Sequence, residues 1–469
     1  MQDKESDYFV VQRSQLNTSK LFVEFYLPQN QILFEQLRQG KYPLLPLKQL
    51  SKRLFDGPFG SNRKVDMYQE SGIPYIRVKD VLPDRINVSE LTYISEKKHK
   101  ELIRSRVVPR NVLLTIAGRI GTAAVFPDFL KEGNITGHIA GIELTENINS
   151  HYLATFLNSP LGEFQFTILG HRTTRPELNL SEVGQVLVPV PPRPVQDRIA
   201  QIMQDAYTAQ RQKLAEVDNL FKSMDAWAFS VLKISFNNLE PKHHFNVPLE
   251  KLQSKRWDVA FYQPSTIDFA GDEWISFNQY IEVCRNTFNP SRQATQEFYY
   301  VAIQGMENDP YSADENACKL LGNEIQGIAQ SFRGGDILLA RLGPCLSNKK
   351  SVIVPDSLGF GCGSPEFLVI RPKNGIDSRF VLWLIKGDLL VKEMLPKTKG
   401  ATPSRMRLHA EDLLQLRVPK ANSIEQQIVG KELERRRTEA KRLRTEAETL
   451  IAETKARVER MILGEEEVM

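Results

Sequence analysis

Arginine, lysine, asparagine and glutamine recur in this 469-residue chain at one kind of place, the polar loop that ends a short extended run. Arg77 and Lys79 close the stretch 71–81, and Arg119 follows the apolar run 112–118. His171, Arg172 and Arg175 share a glycine-led segment, 170–178. In the second half Gln304 closes 298–307, and Arg341 precedes a turn that carries Asn348, Lys349 and Lys350. Lys397, Lys399, Arg405 and Arg407 surround Gly400. These side chains bond base edges in the major groove or hold phosphates. Bond-breaking chemistry has no comparable signature. The chain lacks GxxxxGK[ST], HExxH, GxSxG and an Asn-Pro-Pro-aromatic tetrapeptide, to which Val190-Pro191-Pro192-Arg193 comes nearest. Gly118-Arg119-Ile120-Gly121 lies between two extended runs and reads as a hairpin turn rather than a cofactor loop. His138, His171 and the pair His243-His244 fall at loop or linker positions. Cys284, Cys318, Cys345 and Cys362 lie 34, 27 and 17 residues apart, without zinc-site spacing, and read as free thiols. No catalytic residue, metal site or cofactor is assigned to this chain.

Those loops come twice because the chain is written twice. Tyr26-x-Pro28 recurs as Tyr262-x-Pro264, an offset of 236. The apolar run 112–118 with its following run 123–128 recurs as 337–343 with 351–356, and both read as strand, glycine-containing turn, strand. A helical stretch at 151–158 returns at 379–386, and Pro189, ending a short apolar strand, returns as Pro419 at an offset of 230. A period sustained over nearly the whole length is the signature of a tandem duplication.

A long helix follows each copy. From 194 to 233 the register Ile199, Met203, Ala206, Gln210, Lys213, Val217, Leu220, Met224, Trp227, Val231 steps by four and three, the seam of a coiled coil with polar residues at its middle. At roughly 1.5 Å per residue such a helix would extend about 57 Å. The closing helix has a thinner seam, Leu433, Ala440, Leu443, Ala447, Leu450 and Thr454, flanked by Ile451 and Val458. Neither helix buries its stripe alone, so the two are expected to pair antiparallel. Phe221, Met224, Trp227 and Phe229 are expected to stand exposed and to need a partner's cover.

The expected organisation is a polar leader 1–18, a globule 19–193, a helix 194–235, a linker 236–253, a second globule 254–422, a helix 423–463 and an acidic tail 464–469. Composition sets the outer bounds: 41% hydrophobic, 25% charged and a net charge of +4 suit a protein of several domains in water and permit a basic face without requiring one. No run of 18 apolar residues and no apolar leader are present, so no membrane association and a cytoplasmic location are expected.

With those residues in view, the chain resembles the specificity subunit of type I restriction–modification enzymes. The resemblance rests on the glycine loop with Leu178 and Leu180, the Pro192-x-x-x-Gln196-x-x-Ile199 helix start, and the runs 112–118 and 337–343 before a glycine turn. It covers roughly 19–463, and weakens at 400–408 and at the second helix start, which lacks the proline cluster. It implies a mixed α/β (α+β) fold: two pseudo-symmetric target-recognition domains separated by two long antiparallel coiled-coil helices. It also implies a non-catalytic subunit that reads an asymmetric, bipartite double-stranded DNA target. Two modification (methyltransferase) subunits carrying S-adenosylmethionine would dock on it, and through them restriction (motor-nuclease) subunits. Two other readings stand beside it: a coiled-coil scaffold joining two protein-binding domains without DNA contact, and a nuclease with dispersed carboxylates. Salt-dependent DNA affinity separates the first, and metal-dependent cleavage by the isolated chain the second.

Overall fold

The computed structural model describes residues 26–58, 68–83, 85–170, 177–234, 246–247, 269, 271–304, 306, 310–400, 402 and 405–467. The leader, most of the linker, the opening of the second repeat, and His171, Arg172, Arg175, His243 and His244 lie outside them. Two compact units divide the chain: Met1–Leu214 with Thr445–Met469, and Ala215–Arg444. Each unit therefore takes a globule together with a length of both long helices.

The first unit contains β1 (Leu44–Pro46), β2 (Ser51–Asp56), β3 (Tyr68–Gln69), β4 (Ile73–Ile76), β5 (Thr92–Ile94) and β6 (Arg106–Val107). It continues with β7 (Val112–Thr115), β8 (Ala123–Val125), β9 (Gly133–Ile135), β10 (Ile139–Leu144) and β11 (Leu187–Pro189). A central antiparallel sheet runs β2-β10-β7-β8, a second sheet runs β3-β5-β4-β9-β6 with β4 and β9 parallel, and β1 pairs β11. The central strands read as unbroken apolar runs because both sheet faces are covered. Val112 and Leu114 face a core with Tyr152, Phe156, Ile199 and Ile462, while Leu113 faces another with Phe55, Ile76 and Ile135. Gly141 of β10 lies opposite Phe55, and a Cβ there would sit 2.4 Å from the ring, so the close approach of β2 requires glycine.

The second unit contains β12 (Trp274–Ser276), β13 (Ile281–Cys284), β14 (Thr287–Phe288), β15 (Glu297–Val301), β16 (Ala317–Leu321) and β17 (Ala329–Phe332). It ends with β18 (Ile337–Ala340), β19 (Ser351–Ile353), β20 (Gly361–Gly363), β21 (Phe367–Pro372) and β22 (Arg417–Pro419). Its sheets run β13-β21-β18-β19 and β14-β17-β20-β15-β16, with β15 and β20 parallel and β12 paired to β22. The order β5-β4-β9-β6 of the first unit is thus the order β16-β15-β20-β17 of the second, with its one parallel pair in the same place. The sequence repeat is a repeat of topology. The units differ where the connection after β18 contains a helix, Gly343–Ser347, with Pro344 in its first turn; the sequence reading expected a plain turn there.

The helix starts repeat in atomic detail. Buried Gln196 accepts from the Asn149 N–H at 2.9 Å and donates to the Pro191 carbonyl at 2.9 Å. Buried Gln426 accepts from the Asp377 N–H at 3.3 Å and donates to the Ala421 carbonyl at 2.9 Å. Asn149 and Asp377 in turn cap the helices Ser150–Leu157 and Ser378–Lys386.

Within the first unit Lys213 meets Glu446 at 2.6 Å, and Ile199 shares a core with Val458 and Ile462, so the two helix segments there run antiparallel. Within the second unit Val217 packs with Ala440 and Leu443, and Met224 with Leu433, in the same sense. The polar middle of the expected seam is therefore half answered by an interhelical ion pair. The expected unbroken helix 194–233 is corrected to Arg193–Lys222 followed by Met224–Val231. At the break the buried Arg436 donates to the Leu220 carbonyl and, at 2.9 Å, to Ser223 Oγ. A side chain inserted among helix carbonyls is one of the few causes of a sharp kink. Arg436 occupies the seam position between Leu433 and Ala440 that an apolar count passes over.

Candidate nucleic-acid interface

In both units the segment after the glycine loop folds back on the end of the central strand. Leu178 N–H donates to the Ile116 carbonyl at 2.9 Å, and Leu408 N–H to the Arg341 carbonyl at 2.9 Å. That pairing gathers candidates that lie more than 50 residues apart in sequence. In the second unit it brings together Arg341, Lys399, Arg405 and Arg407, with Lys350 bonded by its carbonyl to Ala340 N–H. The helix Gly343–Ser347 touches the turn Leu395–Lys397, which adds Lys397.

The charges of this cluster are partly matched. Arg341 Nε lies 3.0 Å from Glu366, and Arg407 Nη2 lies 2.6 Å from the same carboxylate. The Arg407 and Arg341 guanidiniums hold the Glu366 carboxyl below its usual range, against the opposing effect of burial. Two guanidiniums on one carboxylate leave a positive charge over. Lys399 pairs with Asp412 at 2.8 Å, and Arg405 is exposed. The charge left over by Arg341 and Arg407 on Glu366, beside the exposed Arg405, suits a phosphate better than a single lined-up base reader.

Other candidates are engaged locally. Arg77 is clamped to the buried Asp80 through Nε at 3.0 Å and Nη2 at 3.1 Å, and donates to the Glu90 carbonyl at 2.7 Å. These bonds place it inside the loop, positioning the turn Val78–Asp80. Lys79 reaches Glu90 at 3.3 Å on the surface. Arg119 donates to the Val81 carbonyl and ties the turn after β7 to that same loop. Gln304 is exposed. Asn348 ends the helix Gly343–Ser347, and Lys349, at φ 53°, pairs with Asp388 at 2.5 Å.

The expected partner-docking residues are covered by their own unit. Met224 is buried in the second unit's core, and Phe221, Trp227 and Phe229 pack against it. Phe221 stacks on Tyr311 with centroids 4.7 Å apart, Phe229 meets Trp383 edge-on at 5.4 Å, and Arg436 lies over Trp227. An isolated helix exposes such residues; here the second unit buries Met224 and partly covers the other three. Sequence reasoning also passed over Glu366, whose role is visible only once Arg341 and Arg407 converge on it. Among the described residues no cluster of His, Cys, Asp or Glu is arranged to hold a metal. No helix among the described residues is long and apolar enough to cross a membrane.

A family model for the type I restriction modification DNA specificity domain matches residues 60–219. The specificity subunit of the type I restriction enzyme EcoBI of Escherichia coli is 29% identical over 168 residues, 34% of this chain and 35% of that protein. The EcoEI specificity subunit of the same organism is 31% identical over 121 residues, 25% of this chain and 19% of that protein. The chain thus spans about a third of the first relative's length and about a fifth of the second's. The crystal structure of a type I restriction–modification S subunit from M. genitalium is 13% identical, covering 90% of this chain and 96% of that one, with a TM-score of 0.43. Residues 60–219 are thus similar to the type I restriction modification DNA specificity domain, and the chain to the specificity subunits of these two enzymes.

Proposed function

We propose that the chain is the non-catalytic specificity subunit of a type I restriction–modification complex. Each unit reads one half of an asymmetric, bipartite duplex target, and the paired helices set the gap between the halves. At about 34 Å per turn of DNA, half-site separation follows the length of such a spacer. Two methyltransferase subunits, which bind S-adenosylmethionine, dock on it, and restriction subunits join through them. The carrying observation is that the specificity domain at 60–219 stands in a unit whose sheet order recurs in the second unit with different loop residues. The same frame with different loops is what an asymmetric target requires.

The test is a genome-wide map of adenine methylation in cells with and without this chain, its methyltransferase partner present. A split motif that vanishes with the chain is expected; an unchanged map in cells whose methyltransferase is active sinks the reading. Arg119→Ala and Arg341→Ala are expected to reduce occupancy of different halves of that motif. Equal loss on target and scrambled duplexes would instead assign these arginines to phosphates.

A further inference from the structure

In the first unit β2 is an edge strand, bonded only to β10 in its sheet. Beside it opens a groove of about 830 Å³, lined by Lys48, Lys52, Arg53, Leu54, Leu180 and Gly184 among others, and, among the described residues, by no carboxylate. Gly184 matters to its shape: a Cβ there would come 3.3 Å from the Lys48 stem that crosses it. Lys52 meets Glu146 at 3.8 Å with both side chains well exposed, a pairing worth little. Arg53 is held in place, its guanidinium 4.2 Å above the Phe55 ring and bonded to the Arg104 carbonyl. A cleft of one charge sign over an apolar floor concentrates its field on an anion.

We propose that this groove is a track for the sugar–phosphate backbone of duplex DNA, with Lys48 and Lys52 as the phosphate contacts. The proposal rests on the specificity-subunit reading above. Lysines on a free edge also deter strand addition, but that role does not call for a pocket without carboxylates. Comparison of the units argues against a docking site for a protein that binds both. Arg53 lies opposite Glu143 in the register of β2 on β10, and the matching pair in the second unit is Glu282 opposite Arg371, with the charges exchanged. Lys52 itself sits where the register of β2 on β10 shifts, between Arg53 opposite Glu143 and Ser51 opposite Leu144, and the pairing of β13 with β21 runs through without such a shift. A subunit present in two copies would meet opposite charges on the two units. The backbone track therefore belongs to the first half alone.

The experiment uses the complex with its methyltransferase subunits and measures affinity for a target duplex and a scrambled duplex from 50 to 200 mM salt. The Lys48→Ala/Lys52→Ala double variant is expected to flatten the slope of log K against log salt by about 1.8, near 0.9 per lost phosphate contact, and to weaken both duplexes by one factor. Lys97→Ala/Lys100→Ala, an equal change of net charge on an exposed helix of the same unit, is expected to leave the slope in place. An unchanged slope in the Lys48/Lys52 variant overturns the track while leaving the specificity reading intact. Loss of the methyltransferase subunits from the variant complex, with DNA affinity otherwise kept, overturns it in favour of a protein contact. A wild-type complex without salt-dependent DNA affinity overturns both.

Discussion

Replacing Arg371 by methionine is expected to destabilise the second unit by about 3–5 kcal/mol, because it strands a buried carboxylate. The Asp336 side chain is 1% exposed and receives Arg371 through Nε and Nη2, both at 2.8 Å. Its second oxygen also caps the turn at the Arg333 N–H, 2.9 Å away. The first unit shows what the position needs when charge is removed: Asn111, which precedes β7 as Asp336 precedes β18, accepts from the Val108 N–H at 3.0 Å. Asp336→Asn combined with Arg371→Met is therefore expected to recover most of the loss, since the turn keeps its acceptor and no charge is left buried. All four tryptophans lie between residues 215 and 444, so denaturant unfolding followed by tryptophan fluorescence reports on this unit. A double variant as unstable as Arg371→Met alone would show that the pair's packing, not its charge, is what the unit depends on.

Arg436→Met is the second large change, with an expected cost of about 2–4 kcal/mol in the same fluorescence transition. The substitution keeps an apolar stem in the seam but removes the donors to Leu220 and Ser223 and the cation above Trp227. It also removes one of the two guanidiniums on Glu432, whose carboxyl is held down to about 2 by hydrogen bonds from Arg435 and Arg436 against the cost of burial. A carboxyl with a folded value below its unfolded one stabilises the fold above the unfolded value. That contribution disappears as pH falls from about 4.5 toward about 2. Glu432→Gln is thus expected to flatten the acid side of the stability profile, measured as the unfolding midpoint between pH 5 and 2.5. An unaltered acid limb would assign the acid sensitivity of this unit to other carboxylates.

What the sequence decided by itself was whatever is written in local pattern or in repetition. The unbroken apolar runs at 112–115 and 337–340 specify strands covered on both faces, and they are the central strands of the two four-stranded sheets. The four-three stepping of Ile199, Met203 and Ala206 specifies the helix stripe, and all three are buried. Gln196 and Gln426, aligned by an offset of 230, make the same bonds because a helix start pinned to the preceding loop is a local arrangement.

Only the tertiary structure decided the state of the charged loops and of the long helices. A cation at a strand end reads as open until its partner arrives from elsewhere: Glu366 lies 25 residues from Arg341 and 41 from Arg407, and Asp412 lies 13 from Lys399. The same holds for Phe221 and Trp227, exposed on any isolated helix and partly covered here by their own unit. Arg436 shows the limit most plainly. In sequence it is one charge among many on a charged helix, and in the fold it is a buried donor at the break of another. Periodicity follows from the geometry of one backbone, whereas desolvation and ion pairing depend on what a second segment brings to the same point in space.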